Sequence, residues 1–225
     1  MAAYDLEEQE QLSTIKGWWE QHGNLVTSVA VALAVAVVGF RGWHWYQGSQ
    51  AAQATAVFSV LQNAVSAKDA KRAREAAGEL LDKFPGTAQA GYGALLSAKA
   101  QLNSGDLKTA KSQLSWAADG AKQDEVRDLA RLRLAALLTD EKAFEEAQKQ
   151  LQKEPLAAFA VEFADLRGDI LALQGKKAEA RAAWQGAIDK LGQGDAAKAE
   201  GAEAQREGGY RKLLTMKLES LGDGK

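Results

Sequence analysis

Residues 21–40 contain no aspartate, glutamate, lysine or arginine, and this uncharged run is the strongest pattern of apolar positions in the chain. A helix rises about 1.5 Å per residue, so a run of about twenty residues extends roughly 30 Å. That length matches the hydrocarbon core of a lipid bilayer. The pattern therefore predicts one helix that spans a membrane near the start of the chain.

Aromatic residues stand close to both ends of the uncharged run; they are Trp18, Trp19, Trp43, Trp45 and Tyr46. Tryptophan and tyrosine are enriched at membrane–water interfaces, where their amphipathic rings lie at the level of the headgroups. Arg41 follows the run directly, and its long side chain can reach the headgroups from that position. We expect these six residues to anchor a transmembrane segment, residues 21–46, behind a short acidic tail, residues 1–20.

Two other interpretations of the run are a cleavable signal peptide and the buried core helix of a soluble domain. A signal peptide begins with a basic region, whereas residues 1–20 hold five acidic side chains and a single lysine, Lys16. A buried core helix would not explain tryptophans at both ends. The pattern favours a retained single-pass anchor. Its orientation is not decided by charge, because Lys16 and Arg41 are the only basic residues close to the run.

Small residues recur after the anchor at spacings of 37 and then 33 residues. They fall in two sets, Ala98, Ala135 and Gly168, and Ala110, Ala147 and Ala180. A fainter fourth copy places Ala73 37 residues before Ala110. A period near 34 residues is typical of tetratricopeptide-like repeats, in which each repeat is a pair of helices. We expect the small residues to let the paired helices approach one another.

The spacing of apolar residues after the anchor predicts helices at 51–67, 70–84, 87–104, 107–120, 124–139, 141–153, 157–174, 176–191 and 206–221. Gly105 and Gly175 lie in turns between paired helices, where a left-handed residue ends the first helix. Residues 192–209 have no large apolar side chain, which predicts a flexible insert or a frayed helix. The last helix is expected to cap the repeats. The predicted fold is all-α, one transmembrane helix followed by a helical-repeat domain, residues 47–225.

Composition narrows the classes of function. The chain has 225 residues, with 28 basic and 30 acidic side chains, two histidines and no cysteine. Both histidines, His22 and His44, flank the predicted anchor, so the repeats contain no histidine for catalysis or metal binding. The repeats show no basic stripe, which argues against a nucleic acid as partner. We expect no catalytic residue, no metal and no cofactor.

The carboxylates of the repeats have the spacing of exposed helix faces, as at Glu145 and Glu146. Asp165 and Asp169 flank Arg167, which predicts local ion pairs worth a few tenths of a kcal/mol. These groups are therefore interpreted as surface residues rather than as acid–base catalysts.

Two tryptophans lie within the repeats. Trp184 occupies the repeat position of Leu114 and Leu151, which predicts a place in the core. Trp116 follows Leu114 by two residues and is out of phase with that apolar stripe. It is the candidate for an exposed aromatic contact with a partner protein.

Four segments carry a family resemblance, namely GFRGWHW at 39–45, GYGALL at 91–96, the block from ADLRGD to LQGKKAEARAAW at 164–184, and MKLESL at 216–221. In these segments and in its layout the chain resembles the YfgM family, ancillary proteins of the bacterial Sec translocon. The resemblance covers nearly the whole chain. The chain departs from the family at residues 192–209, which are longer than the usual connection.

The resemblance implies a protein of the bacterial inner membrane with a cytoplasmic tail and periplasmic repeats. It implies three partners: the SecYEG translocon, the membrane-anchored periplasmic chaperone PpiD, and newly secreted chains that would be passed to periplasmic chaperones. It implies no catalytic residue. The residues themselves leave two other hypotheses open. One is a scaffold for another membrane complex with its repeats in the cytoplasm, and the other is a membrane-anchored enzyme.

Overall fold

A computed structural model describes residues 2–191 and 202–222, with side chains described for 11–191 and 205–222. Every regular element in these ranges is helical, which confirms the all-α prediction. The α-helices are α1 (Ala2–Ser66), α2 (Ala70–Lys83), α3 (Ala88–Ser104), α4 (Leu107–Gly120), α5 (Asp124–Asp140), α6 (Phe144–Gln150), α7 (Ala160–Leu173), α8 (Lys177–Leu191) and α9 (Ala202–Ser220). A single turn of 3₁₀-helix, Ala157–Phe159, precedes α7.

The chain divides into two units, Met1–Gln50 and Ala51–Lys225. In the first unit α1 carries the apolar run, and the described residues include no second helix that is long and apolar enough to cross a membrane. Only 6% of the most apolar 18-residue stretch of α1 is buried. The core helix of a soluble domain would be mostly buried, so this exposure disfavours that interpretation. The predicted start of a helix at residue 51 was wrong, because α1 runs without a break through the predicted anchor.

The described residues of the second unit form helix pairs followed by one last helix. The end of α1 packs with α2, and the next pairs are α3 with α4, α5 with α6, and α7 with α8. The first helices of successive pairs are also neighbours, because α5 contacts both α3 and α7. The last helix, α9, contacts α8.

The small residues of the repeat pattern lie where paired helices meet. All seven are buried, namely Ala73, Ala98, Ala110, Ala135, Ala147, Gly168 and Ala180, which confirms the prediction. At Gly168 an added Cβ would lie less than 3.0 Å from three atoms of the Trp184 indole. Only glycine therefore allows Trp184 to pack directly against the backbone of α7.

The same turn ends the first helix of every pair. Its left-handed residues lie 37, 37 and 33 residues apart and are Lys68, Gly105, Lys142 and Gly175. In each turn the next backbone N–H donates to a carbonyl oxygen five residues earlier, at 2.8–2.9 Å. These are the bonds of a Schellman motif, which satisfies the free carbonyls at a helix end. The prediction for Gly105 and Gly175 is confirmed, and two lysines adopt the same conformation in the other pairs.

Side-chain caps distinguish the second helices of the pairs. Asp69 accepts a hydrogen bond from the Arg72 backbone N–H at 2.9 Å, and Asp106 accepts one from Thr109 at 3.0 Å. The bond from Thr109 lowers the pKa of Asp106. The corresponding residue before α6 is Ala143, which offers no side-chain cap. The helix predicted at 141–153 was too long, because Lys142 is left-handed and α6 spans only seven residues.

The last helix begins earlier than the predicted 206–221, because residues 202–209 form its first turns. The rest of the predicted insert, residues 192–201, lies outside the described residues. Leu214 of α9 is fully buried in a cluster with Leu171 and Trp184, which joins α9 to α7 and α8.

Candidate partner-binding surface

A partly buried charge cluster holds α9 against α7. The Lys217 ammonium donates to Asp165 at 2.6 Å and to both carboxylate oxygens of Asp169 at 2.7 and 2.9 Å. The Tyr210 hydroxyl donates to the second oxygen of Asp165 at 2.9 Å. Two carboxylates of α7 therefore share one ammonium and one hydroxyl from α9. We call these four residues the α9 clamp.

The predicted local ion pairs around Arg167 were wrong. The Arg167 guanidinium instead donates to the Leu151 carbonyl oxygen at 2.6 Å, across to the preceding helix pair. Residues two apart on a helix do not face each other, so Arg167 points away from Asp165 and Asp169. Asp165 is also buried rather than exposed.

Burial and charge shift the pKa values of the clamp. Burial lowers the pKa of Lys217, but the hydrogen bonds and charges of the two carboxylates outweigh it and raise that pKa above 10.5. Burial raises the pKa of Asp169 above its ordinary 3.8 and outweighs the hydrogen bond from Lys217, and the Asp165 charge adds to the rise. Burial, followed by the Asp165 charge, also raises the pKa of Tyr210. A lysine that acts as a base or nucleophile needs a lowered pKa, so these shifts favour a structural role for the clamp.

Trp184 closes the inner side of the clamp. Its indole N–H donates to the Asp165 backbone oxygen at 3.2 Å, and the Lys217 ammonium lies 5.8 Å from the centre of its ring. The side chain is buried, which confirms the prediction of a core position.

The first helices of three pairs line two adjoining cavities, which together we call the repeat groove. A cavity of about 420 Å³ lies between α5, α7 and α9, and one of about 360 Å³ lies between α3 and α5. Ala136 and Asp140 of α5 line both cavities. The residues that define the groove are Lys99, Leu102, Arg133, Ala136, Asp140, Leu166, Asp169 and Leu173.

The groove combines an apolar floor with charges of both signs. Leucines from α3 and α7 form the floor, and Leu173 is largely exposed. Lys99 and Arg133 line the cavity between α3 and α5, Asp169 lines the cavity next to α7, and Asp140 lies between the two cavities. The groove is open to solvent and continues across three helices, and a shallow surface of this kind suits an extended polypeptide segment. Among the described residues, no three histidines or carboxylates lie where they could hold a metal ion.

The sequence-predicted contact residues fall in different places. The five aromatic side chains that flank the uncharged run each expose more than half of their surface on α1. Trp116 is partly buried and packs against two core clusters. Its role as a partner contact stays a prediction. Lys217 and Tyr210 were missed, since nothing in the local pattern reports a contact between α9 and a helix some fifty residues earlier.

A family model described as a tetratricopeptide repeat-like domain matches residues 16–223. A protein of Neisseria gonorrhoeae named ancillary SecYEG translocon subunit is 28% identical over 225 residues, which cover 98% of this chain and 100% of that protein. Proteins with the same name are 29% identical in Escherichia coli, over 80% of this chain and 87% of theirs, and 25% identical in Haemophilus influenzae, over 81% and 89%. These relatives confirm the family resemblance drawn from the sequence.

Proposed function

Because this chain belongs to the tetratricopeptide repeat-like domain family, we propose that it is a membrane-anchored accessory subunit of the SecYEG translocon that acts by binding other proteins. One observation carries the proposal. The relative from Neisseria gonorrhoeae, which bears the name of a translocon subunit, aligns over its whole length, so the similarity includes the uncharged run as well as the repeats.

In this proposal residues 21–46 anchor the protein in the inner membrane. Trp43 lies 24 positions after Trp19, which is about 36 Å along a helix, so the two tryptophans reach the two headgroup regions of a bilayer. Anchoring confines the protein to the membrane that contains its partner. It raises the effective concentration of the repeats there, so that weak contacts suffice.

The proposal places residues 1–20 in the cytoplasm and the repeat domain, residues 47–225, in the periplasm. PpiD and newly secreted chains are the proposed further partners, and the repeats would pass these chains to periplasmic chaperones. The apolar floor and mixed charges of the repeat groove support the binding of polypeptide segments rather than catalysis.

Two pairs of arginine substitutions, one inside the uncharged run and one before it, test the anchored association. Val31 and Val35 are exposed residues inside the uncharged run, and Leu12 and Ile15 are exposed residues of the same helix before it. Replacing both valines with arginine opposes insertion by about 5–7 kcal/mol. We expect the V31R/V35R variant to lose co-purification with affinity-tagged SecY from detergent-solubilised membranes, and the L12R/I15R variant to retain it. Equal recovery of both variants would contradict the proposal.

A reporter fused after Lys225 tests the side of the membrane. Alkaline phosphatase at that position is expected to be active, since it folds only in the oxidising periplasm, and β-galactosidase is expected to be inactive. The opposite result would replace the periplasmic adaptor with a cytoplasmic repeat scaffold.

A further inference from the structure

The first helix pair exposes a face that later pairs bury. The face lies between the end of α1 and α2, where a cavity of about 370 Å³ opens. We call it the open stacking face, and its residues are Ala56, Val57, Val60, Arg72, Glu75 and Glu79.

Equivalent positions in the next helix pair lie 37 residues later in the chain and show what normally packs against this face. The positions 37 residues after Ala56 and Val60 are Gly93 and Ser97, and both are buried. An added Cβ at Gly93 would lie 2.6 Å from a methyl carbon of Leu80, so the first pair packs directly onto it. The Ser97 hydroxyl donates to the backbone oxygen of Ala73 at 3.3 Å. In the second pair this face therefore contacts the pair before it.

The third pair repeats the arrangement. A further 37 residues along the chain are Ala130 and Leu134, which expose 0% and 3% of their surface. In the first pair, by contrast, Val60 exposes 39% and Ala56 is also exposed. No helix among the described residues of the second unit covers Ala56 and Val60. The other end of the stack differs, because α9 covers the last pair and buries Leu214 there.

We propose that the open stacking face binds an amphipathic helix of a partner protein. At the equivalent interface with Gly93, the covering side chains are Leu61, Leu80 and Phe58, which are large and apolar. The partner helix accordingly carries leucine or phenylalanine side chains that fill the cavity. The apolar side chains of a second copy of this face would be only alanines and valines, which are too small to fill the cavity.

Charge sets the direction of the partner helix. Glu79 already forms an ion pair with Lys83 at 2.9 Å. Arg72 and Glu75 lie about one turn apart on α2, and neither side chain forms an ion pair within the described residues. An acidic residue of the partner faces Arg72 and a basic residue faces Glu75.

Photocrosslinking in native membranes tests this interface on the full chain. The probe, p-benzoylphenylalanine, is placed at Val60 and, as a control, at Gln62, an exposed residue about 200° around the same helix. The expected result is one discrete product from position 60 and none from position 62. Its crosslinked peptide, mapped by mass spectrometry, contains leucine or phenylalanine at helical spacing and a lysine or arginine. A product with lipid or with a second copy, identical products from both positions, or no product would overturn the proposal.

Charge reversal tests the predicted direction. Glu75→Lys is expected to weaken the crosslink from position 60 about fivefold, because like charges at the rim of an interface oppose binding. Exchanging the basic residue of the partner for glutamate is expected to restore it. The control Glu146→Lys reverses an exposed carboxylate of α6 and leaves the crosslink unchanged. An equal effect of both reversals would overturn the assignment. These results are independent of co-purification with SecY, which tests the proposed function alone.

Discussion

Single residues set the distances between helices in the second unit, Ala51–Lys225. Gly168 lets Trp184 pack against α7, and the turn residue Lys142 adopts a left-handed conformation that glycine adopts in two other turns. At Gly168 the nearby indole leaves no room for a Cβ. At Lys142 the left-handed backbone would suit glycine better than a residue with a Cβ. The two positions therefore respond to substitution in opposite directions.

Gly168→Ala is expected to lower the free energy of unfolding by about 1–2 kcal/mol. Overpacking against the rigid indole costs about 1–3 kcal/mol, and the better helix propensity of alanine returns up to about 1 kcal/mol. Gly186→Ala in α8 is the control, because an added Cβ there meets open space. It is expected to be stabilising. Urea unfolding of both variants measures the difference, and equal shifts would show that the space at Gly168 is not limiting.

Lys142→Gly is expected to raise the free energy of unfolding by about 1 kcal/mol. The left-handed backbone of Lys142, at a φ of 62°, strains any residue with a Cβ. The control is Lys212→Gly at an exposed helical position of α9, which is expected to cost about 0.5–1 kcal/mol. Thermal or urea unfolding distinguishes the two signs. A loss of stability in both variants would contradict a strained turn.

At the scale of helices, α9 is joined to the stack by one apolar contact surface and by the clamp. Lys217 is largely buried and neutralises carboxylates that belong to another helix. Removing one partner of a buried ion pair leaves the other charge without compensation. The attachment of α9 therefore depends strongly on this one ammonium group.

Lys217→Met is expected to lower the free energy of unfolding by about 2 kcal/mol at pH 7, somewhat less than for a fully buried pair because the groups remain partly exposed. Lys212→Met, on an exposed face of the same helix, is the control and is expected to change stability by less than about 0.5 kcal/mol. Chemical unfolding followed by circular dichroism gives both values. A similarly small loss of stability in both variants would contradict a stabilising role of the α9 clamp.

The pH dependence follows from the direction of the pKa shifts. The pKa values of Lys217 and Tyr210 are raised on folding, so both contributions are complete below the ordinary values of 10.5 and 10.0. They are lost as the pH rises through the raised values. We expect the stability difference between the unchanged protein and Lys217→Met to be constant from pH 6 to about pH 9 and to shrink only above the ordinary lysine pKa of 10.5. A stability difference that grows at alkaline pH would contradict the raised pKa of Lys217.

The linear sequence contained the local determinants of the fold. The recurring alanines and glycines predicted the helix pairs, because the two helices of a pair are consecutive in the chain and the turn between them is formed by local hydrogen bonds. The pattern did not predict that Asp165 pairs with Lys217, since their contact depends on where α9 docks. Nor did it predict the start of α9 at Ala202, because a stretch without large apolar residues carries no signal of packing. The repeat groove depends likewise on how successive pairs stack.

The whole molecule combines a long apolar helix with a stack of repeats whose two ends differ. The last pair is covered by α9, whereas the first pair exposes its stacking face. A repeat stack without a cover at one end offers a continuation of its own core to a partner. In the proposed function the anchor brings the protein to the translocon, and the groove and the open stacking face provide separate contacts.

Permanent insertion of residues 21–40 in the membrane is the premise of the proposed function, and extraction of vesicles with alkaline carbonate tests it most directly. The predicted result is that the intact chain stays in the membrane pellet, while V31R/V35R moves to the soluble fraction and L12R/I15R does not. Release of the unchanged, full-length protein by carbonate would contradict the anchor and, with it, the proposed role at the translocon.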